Sequence, residues 1–297
     1  MSEPDDLVAV YRDLHAHPEL AFQETRTAAI VAAWLTRHGY EVLAEVGRTG
    51  VVGVLANGSG PTALLRADMD GLPVAEGTGL SYASTAVGVD ESGAEVPVMH
   101  GCGHDVHVTC LLGAAAQLAS ARDTWRGTLL LVFQPAEEIA AGARAMIDDG
   151  LFERVGRPDV ILGQHVAPLP AGVIGLRSGP AFAATDTLRI TLYGRGAHAS
   201  RPEVSVDPVV MAAATVMRLQ GVVAREVSAT DLAVVTVGAL RAGTAANVIP
   251  DDAELLVNVR TYSPDVRARV LAAIARIVRG EAAASDAPRE PEITVLL

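Results

Sequence analysis

The 297-residue chain is half apolar, is only 4% aromatic and carries a formal net charge of −12. Its length allows a substantial hydrophobic core and one or two domains. The negative charge argues against nucleic acid or an anionic membrane as partner, and no apolar run is long enough to span a bilayer. The cysteines, Cys102 and Cys110, are too few for a disulfide framework, and the acidic start has no apolar signal segment. We therefore expect a cytoplasmic protein that binds neither nucleic acid nor membrane.

The first part of the sequence alternates between helical and strand patterns. Helices are predicted over residues 6–15, 24–39, 106–120 and 140–152. Strands are predicted over residues 50–58, 61–68, 127–135 and 158–165, the last two as buried strands. Strands that alternate with helices predict an α/β fold whose mainly parallel sheet is covered on both faces.

The pattern changes after about Gly179. Strands are predicted over residues 187–193, 232–240, 253–262 and 292–297, with helices over 208–226 and 264–280. That βαββαβ order is typical of a ferredoxin-like α+β domain. We therefore predict two domains, one over residues 1–180 and the other over 181–297.

Polar clusters follow the predicted strands or begin the helices of the first domain. They consist of Asp68 and Asp70, Cys102 and His104, Glu137 and Glu138, and His165. Ligands gather beyond the carboxyl ends of strands in an open α/β sheet, so we expect these loops to converge on one edge. Thiolate, imidazole and carboxylate groups are ligands for Zn²⁺ and related divalent metals. The combination predicts a metal site.

Each cluster taken alone also has a structural interpretation. His165 fits a strand end, the glutamate pair favours a helix start, and Cys102 fits a small buried apolar residue. Asp68 and Asp70 fit turn caps. If there were no metal site, all of these separate structural interpretations would have to be true at once. We therefore favour the metal site.

The remaining histidines are weaker candidates. His100 and His107 fit either structural positions or groups that orient neighbouring ligands. His15, His17 and His38 are predicted to be surface or loop residues.

Six segments, in order along the whole chain, resemble the M20 metallopeptidase family. They read DLHAHPELAFQE, LLRADMDGLPVAE, MHGCGHDVHV, VFQPAEE, GRGAHAS and ANVIP. The similarity is to the branch of amidohydrolases that includes hippurate hydrolase, N-acyl-amino-acid deacylases and auxin-conjugate hydrolases. It implies a hydrolase-like α/β domain of the zinc-exopeptidase type, into which a ferredoxin-like lid and dimerisation domain is inserted.

The resemblance also implies an activity, the hydrolysis of the amide bond of N-acyl or aryl-acyl amino acids. Two divalent ions (Zn, Mn, Co or Ni) would be held by Cys102, His104, Glu138 and His165. Glu137 would be the general base that activates water and then protonates the leaving amine. Asp68 would orient a metal-ligating group, and Arg66 stands where other branches carry a ligand histidine.

In the second domain the resemblance implies roles for three more residues. His198 would reach the active site of the partner subunit in a homodimer and stabilise the tetrahedral oxyanion. Asn247 and Arg260 would hold the reaction intermediate or the substrate carboxylate, for which Arg offers a bidentate fork.

One departure from the family leaves alternatives open. Family members are expected to continue beyond the lid and to carry a last metal-ligating histidine there, but no histidine follows His198. A truncated chain with a weak second metal and weak or no amidase activity is therefore expected, and a dimerising or ligand-binding protein is the alternative function. A cysteine hydrolase that uses Cys102 with His104 or His100 is disfavoured, since no strand–nucleophile–helix elbow surrounds Cys102.

Overall fold

Residues 6–296 are described by the structure, a computed structural model. They divide into two units between Ala171 and Gly172. None of the helices in this part of the chain combines the length and the apolar character needed to cross a membrane.

The first unit contains a five-stranded sheet with the strand order β1-β2-β6-β3-β7. Its strands are β1 (Glu41–Val46), β2 (Gly50–Asn57), β3 (Thr62–Asp68), β6 (Gly127–Gln134) and β7 (Val160–Gly163), and a separate hairpin consists of β4 (Val87–Val89) and β5 (Glu95–Pro97). Strands β6, β3 and β7 run parallel, which confirms the predicted α/β class. Strands β1 and β2 add an antiparallel hairpin to this parallel group.

Helices cover both faces of this sheet. They are α1 (Leu7–Ala16), α2 (Thr25–Arg37), α3 (His104–Ser120), α4 (Gly142–Asp148) and α5 (Leu151–Val155). In strand β6, successive side chains point to opposite faces of the sheet. Leu131 and Phe133 pack in the core with α1, α2 and α3, whereas Leu130 and Val132 pack with Met146 of α4 and its surroundings. Full burial of each such side chain stabilises the fold by about 1.5–3 kcal/mol.

Two predictions about the first unit are wrong in detail. The strand β7 was predicted to be buried, but Val160, Ile161 and Leu162 are 44%, 59% and 55% exposed. Among the described residues β7 pairs only with β3, so it is an edge strand whose faces lack cover. The single helix predicted over residues 140–152 is two helices, because the chain turns at Gly150, which has a left-handed φ of 81°.

The second unit has the predicted βαββαβ order. Its elements are β8 (Ala184–Tyr193), α6 (Pro208–Glu226), β10 (Ala233–Ala242), β12 (Asp252–Thr261), α7 (Pro264–Ala284) and β13 (Glu292–Val295). The four strands form an antiparallel sheet in the order β10-β12-β8-β13, which confirms the ferredoxin-like arrangement. Alternate residues of β8 and β12, such as Ile190 and Leu255, pack against Ile274 of α7. A short ribbon of β9 (Ala197–His198) and β11 (Val248–Ile249) and a 3-10 helix at Pro202–Val204 complete the unit.

Candidate metal centre

The imidazole of His104 is buried at the start of α3. Gly103 precedes it in a left-handed conformation, φ 78°, and a Cβ there would lie 2.6 Å from Cγ2 of Val166. The Nδ1 of His104 lies 2.8 Å from the carbonyl oxygen of Asp70. A carbonyl only accepts, so Nδ1 carries the proton and donates it. The Nε2 atom is buried and has no hydrogen-bond partner among the described residues.

Three carboxylates surround this nitrogen. Oδ1 of Asp68 lies 3.7 Å from it, and carboxylate oxygens of Glu137 and Glu138 each lie 3.8 Å away. These distances are too long for hydrogen bonds. They match the roughly 3–4 Å between two ligand atoms that each stand about 2.0–2.2 Å from one Zn²⁺ ion. Oε1 of Glu138 is likewise buried without a partner, so the residues present fit a divalent cation.

The charge around His104 also fits a cation. Burial opposes protonation of this imidazole, but the carboxylate of Asp70, whose Oδ1 lies 3.3 Å from Nδ1, and the other nearby carboxylates outweigh that effect and raise the pKa of His104. The surroundings therefore favour positive charge next to Nε2. A metal ion supplies that charge and displaces the proton, because only the neutral imidazole binds metal.

Cys102 and His165 complete the set of candidate ligands. The ligand atoms of Cys102, His104 and His165 lie within 4.8 Å of one another, and so do those of His104, Glu137 and Glu138. His104 belongs to both groups. The structure thus brings together the four ligands that the sequence predicts, with Glu137 beside them.

The thiol of Cys102 is unsuited to act as a nucleophile. Burial and the adjacent carboxylate of Glu138 raise its pKa to about 12. The attacking species in cysteine catalysis is the thiolate, which needs a pKa well below the ordinary value of about 8.5. This environment argues against the cysteine hydrolase that the sequence left as an alternative.

His107 lies beside this cluster but has no nitrogen to give to a metal. Its Nδ1 donates to Oδ1 of Asp68 over 2.6 Å, and its Nε2 accepts from the backbone N–H of Val166 over 2.9 Å. The ring is 1% exposed, and its centre lies 4.7 Å from that of His165. His107 therefore connects the end of β3 to the segment that carries His165.

Asp68 is held as a charged, oriented group. Burial would raise its pKa, but the hydrogen bond from His107 and the positive charges nearby lower the pKa to about 2. Nη1 of Arg66 lies 2.7 Å from Oδ2 of Asp68, and Nε of Arg66 donates to Gln134. Arg66, which lies on β3, thus neutralises the charge of the Asp68 carboxylate and is not a metal ligand.

Two further acidic residues support the site: Asp70, which the sequence placed in a polar cluster without a specific role, and Glu24, which carried no recognisable signal. Asp70 accepts from His104 through its carbonyl and from the backbone N–H of Glu138 through Oδ2, at 2.9 Å. Glu24 is fully buried, and its Oε1 accepts from the N–H groups of Phe22 and Ala136. Glu24 precedes α2 in the sequence and resembles an ordinary helix-start residue, so its contact with a loop 112 residues away was unforeseen.

Of the other histidines, one contradicts its prediction. His15, predicted at the surface, is buried; its Nδ1 lies 2.6 Å from Asp105 and its Nε2 lies 3.1 Å from Glu76. The prediction was wrong because both partners are distant in sequence. The ring of His100 is buried, neither of its nitrogens has a hydrogen-bond partner among the described residues, and burial lowers its pKa to about 4. His17 is exposed and His38 is half-buried.

The three predicted residues of the second unit are exposed. His198 lies on β9 opposite Val248, and the backbone N–H of Ala199 donates to the carbonyl of Asn247 over 3.0 Å. The β9–β11 ribbon thus brings His198 and Asn247 together. Arg260, on β12, donates to Asn258, and no hydrogen bond in the described chain joins it to that pair.

The comparison with known proteins identifies the family. The profile of the peptidase family M20/M25/M40 matches residues 64–284. The chain belongs to the M20 family. This M20 chain is 40% identical over 287 residues to an N-acetylcysteine deacetylase of Bacillus subtilis, an alignment that covers 96% of the chain and 72% of the relative. It is 43% identical over 279 residues to a hippurate hydrolase of Campylobacter jejuni, which covers 93% and 70% respectively.

A solved structure agrees with this assignment. The M20 chain superimposes with a TM-score of 0.79 on a dinuclear metal-binding peptidase of the M20 family from Bacillus subtilis. The two are 35% identical, and the match covers 97% of this chain and 72% of the other. The relatives are hydrolases, and the fold is that of the M20 peptidases.

Proposed function

We propose that the protein is a metal-dependent amidohydrolase that cleaves the amide bond of N-acyl or aryl-acyl amino acids. The observation that carries this proposal is the buried, unpartnered Nε2 of His104, which faces three carboxylates at 3.7–3.8 Å. The names of the two relatives support the substrate class, since N-acetylcysteine and hippurate are both amides of an amino acid with a carboxylic acid.

In this proposal the metal ligands are Cys102, His104, Glu138 and His165. They would hold two divalent ions, for which Zn, Mn, Co and Ni are the candidates, the second ion being bound more weakly than the first. When bound, a divalent ion lowers the pKa of water to about 7 and so supplies a nucleophile at neutral pH. Nitrogen, sulfur and oxygen donors together suit these metals better than Ca²⁺ or Mg²⁺, which prefer all-oxygen sites.

Glu137 is proposed as the general base. Burial and the negative charges of Asp68 and Glu138 raise its pKa, so it holds a proton more readily than an ordinary glutamate. Its carboxylate takes a proton from the attacking water, whose oxygen bonds to the amide carbon. It then gives that proton to the amide nitrogen as the C–N bond breaks, leaving a carboxylic acid and a free amino acid. Asp68 positions the cluster through His107.

The second unit is proposed as a lid and dimerisation domain, with residues 1–180 forming the catalytic domain and 181–297 the lid. His198 stabilises the oxyanion, and Asn247 and Arg260 bind the intermediate or the substrate carboxylate. A homodimer is supported by large exposed apolar side chains at and beside β10, an edge strand of its sheet: Leu232, Val234 and Leu240. Sedimentation of wild type and of Val234→Glu tests the proposed dimer. The negative charge that the substitution introduces should disrupt it.

A cytoplasmic location is also proposed. Both cysteines are free, with Cys102 half-buried beside the candidate ligands and Cys110 exposed. Free thiols of this kind persist in a reducing compartment.

The test of the proposed function is hydrolysis by chain that has been stripped with a chelator and reloaded with Zn²⁺, Mn²⁺, Co²⁺ or Ni²⁺. We expect N-acetylcysteine or hippurate to be cleaved only by the reloaded chain. Glu137→Gln should keep its metal and lose about 10²–10⁴-fold in rate. The matched control is Glu95→Gln on the exposed β5, which should leave both unchanged. Hydrolysis by chelator-treated chain to which no metal has been returned would contradict the proposal. So would a Glu137→Gln variant with wild-type activity.

A further inference from the structure

Glu24 is a buried carboxylate that contacts the loop of the proposed general base. Its side chain is fully buried, and Oε1 accepts from the backbone N–H of Ala136 over 2.8 Å. The same oxygen accepts from the N–H of Phe22 over 2.9 Å, and Oε2 accepts from the hydroxyl of Thr49. These donors are neutral, so the carboxylate serves them as a hydrogen-bond acceptor and not as the partner of a charge.

The two residues whose N–H groups bind Oε1 have an unusual backbone conformation. Ala136 has a φ of 46° and Phe22 has a φ of 61°. This left-handed region is disfavoured for residues that carry a Cβ. A buried N–H without an acceptor is also costly, so the hydrogen bond favours the conformation that presents the N–H to Glu24. The backbone at Ala136 thus depends on an acceptor that lies 112 residues away in the sequence.

The conformation of Ala136 sets the direction of Glu137. The chain enters this loop from β6, whose last residue, Gln134, accepts through its carbonyl from the N–H of Met69 over 3.0 Å. With that end fixed, a change to an ordinary negative φ at Ala136 would rotate the next residue. The carboxylate of Glu137 would then leave its place 3.8 Å from Nε2 of His104. Misplacement of a reacting group by about 1 Å can cost about 100-fold in rate.

The proposed metal ligand in this loop has an anchor of its own. The backbone N–H of Glu138 donates to Oδ2 of Asp70 over 2.9 Å. Glu138 is therefore held at a point that does not involve Glu24. Loss of the acceptor at Glu24 should disturb Glu137 more than Glu138, and so it should lower the rate of hydrolysis more than the metal affinity.

We propose that Glu24 is a positioning residue for Glu137, which it serves by holding Ala136 in its left-handed conformation. This inference rests on the proposed function, in which Glu137 transfers the proton. It requires an acceptor oxygen in the right place and does not require a negative charge.

Two conservative substitutions separate the place of the acceptor from its charge. Glu24→Gln removes the charge, but its amide oxygen can accept from both N–H groups and its NH₂ can donate to the hydroxyl oxygen of Thr49. Glu24→Asp keeps the charge, but its side chain is shorter by one methylene, so its oxygens lie further from the N–H of Ala136. Glutamine should therefore replace Glu24 in its role, and aspartate should not.

The experiment measures kcat and KM of both variants, reloaded with Zn²⁺, on whichever of N-acetylcysteine and hippurate wild type hydrolyses. We expect kcat of Glu24→Asp to fall about 10–100-fold with KM changed less than about threefold. Glu24→Gln should keep kcat within about threefold of wild type. In a Co²⁺ titration, the affinity of Glu24→Asp should fall by a smaller factor than its kcat does.

Ala136→Gly tests the backbone conformation directly. Glycine adopts a positive φ without the steric cost that a Cβ brings, so in the Glu24→Asp background this substitution should recover about fivefold in kcat. Ala136→Gly alone completes a double-mutant cycle. Its effect on wild type should differ from its gain in Glu24→Asp, because the two residues act on one conformation.

Glu19→Asp is the matched control for stability. Glu19 also accepts from two backbone N–H groups, those of Arg26 and Thr27 at 2.9 and 2.8 Å, but it does so at the start of α2. The same shortening there should lower the midpoint of urea unfolding and leave kcat unchanged. It therefore separates a loss of stability from a loss of positioning.

Wild-type kcat in Glu24→Asp, an equal loss of kcat in Glu24→Gln, or additive effects in the cycle would overturn the inference. If Glu24→Asp did not fold, Glu24→Gln would decide: near wild-type kcat supports the role of the acceptor, and a loss of about tenfold or more overturns it. In each of these cases wild type hydrolyses its substrate. Failure of the proposed function has a different signature, the absence of hydrolysis by reloaded wild type, and it would end this inference as well.

Discussion

Nδ1 of His107 lies 2.6 Å from Oδ1 of Asp68, which ties the first turn of α3 to the end of β3. Because the other nitrogen of His107 accepts from Val166, the residue after His165, one ring fixes two strand ends that approach the cluster. His107 is therefore best understood as a positioning residue.

Replacement of His107 should weaken metal binding without removing a ligand. Loss of groups that orient metal ligands costs about 10–100-fold in affinity, and we expect His107→Phe to fall in that range for Zn²⁺ or Co²⁺. His107→Gln, which can still bond to Asp68, should recover part of the loss. Competition with a chromophoric chelator measures both. His17→Gln, at an exposed position, is the control, and a His107→Phe chain with wild-type affinity contradicts the role.

Gly142 allows the loop that carries Glu137 and Glu138 to return close to β6. A Cβ at Gly142 would lie 1.6 Å from the carbonyl oxygen of Pro135, so Gly142→Ala must displace this loop. We expect a loss of about 1–3 kcal/mol in the free energy of unfolding together with weaker metal binding.

Gly221 offers the matched control for that substitution. It lies within α6, and a Cβ there would meet no atom of the described residues within 4 Å other than the backbone of its own helix. Gly221→Ala should therefore stabilise the chain by about 0.5–1 kcal/mol through helix propensity and leave metal affinity unchanged. Urea unfolding and metal titration of both variants provide the check, and equal effects of the two would refute the close approach at Gly142.

Glu24 should matter for stability although it lies outside the proposed chemistry. Glu24→Ala leaves the N–H groups of Phe22 and Ala136 without their acceptor, at a cost of about 2–4 kcal/mol in unfolding free energy. Glu24→Gln keeps an amide oxygen in the same place and should cost less than half as much. If the two variants were equally stable in urea, the carboxylate would not be holding this loop.

His15 should make stability depend on pH. Burial opposes its charge, but the hydrogen bonds to Glu76 and Asp105 prevail and raise its pKa in the folded chain. A raised folded pKa means that the stabilisation is fully present below the unfolded value of about 6.5 and is lost as the pH rises through the folded value. The difference in unfolding free energy between wild type and His15→Gln should thus shrink from pH 6 to pH 9. A difference that grows with pH would contradict this ionisation.

The sequence predicted the elements whose apolar pattern is strong and local. Strand β6 and helices α3 and α6 follow from their own residues, and the candidate ligands follow from their positions after strands. The sequence did not reveal strand β1. Its polar residues and its irregular pairing between Leu43 and Val46 obscure the strand pattern. The exposure of β7 depends on which strands flank it. The roles of Glu24 and His15 depend on partners far along the chain, which no local pattern encodes.

The central claim is that His104 presents its Nε2 to a divalent cation. The most direct measurement is the metal content and affinity of purified chain and of His104→Ala, by elemental analysis after dialysis and by Co²⁺ titration. We predict bound divalent metal in wild type, and in His104→Ala a loss that leaves the fold intact by circular dichroism. Wild type that binds no divalent metal, or His104→Ala that binds it as tightly as wild type, would contradict the account.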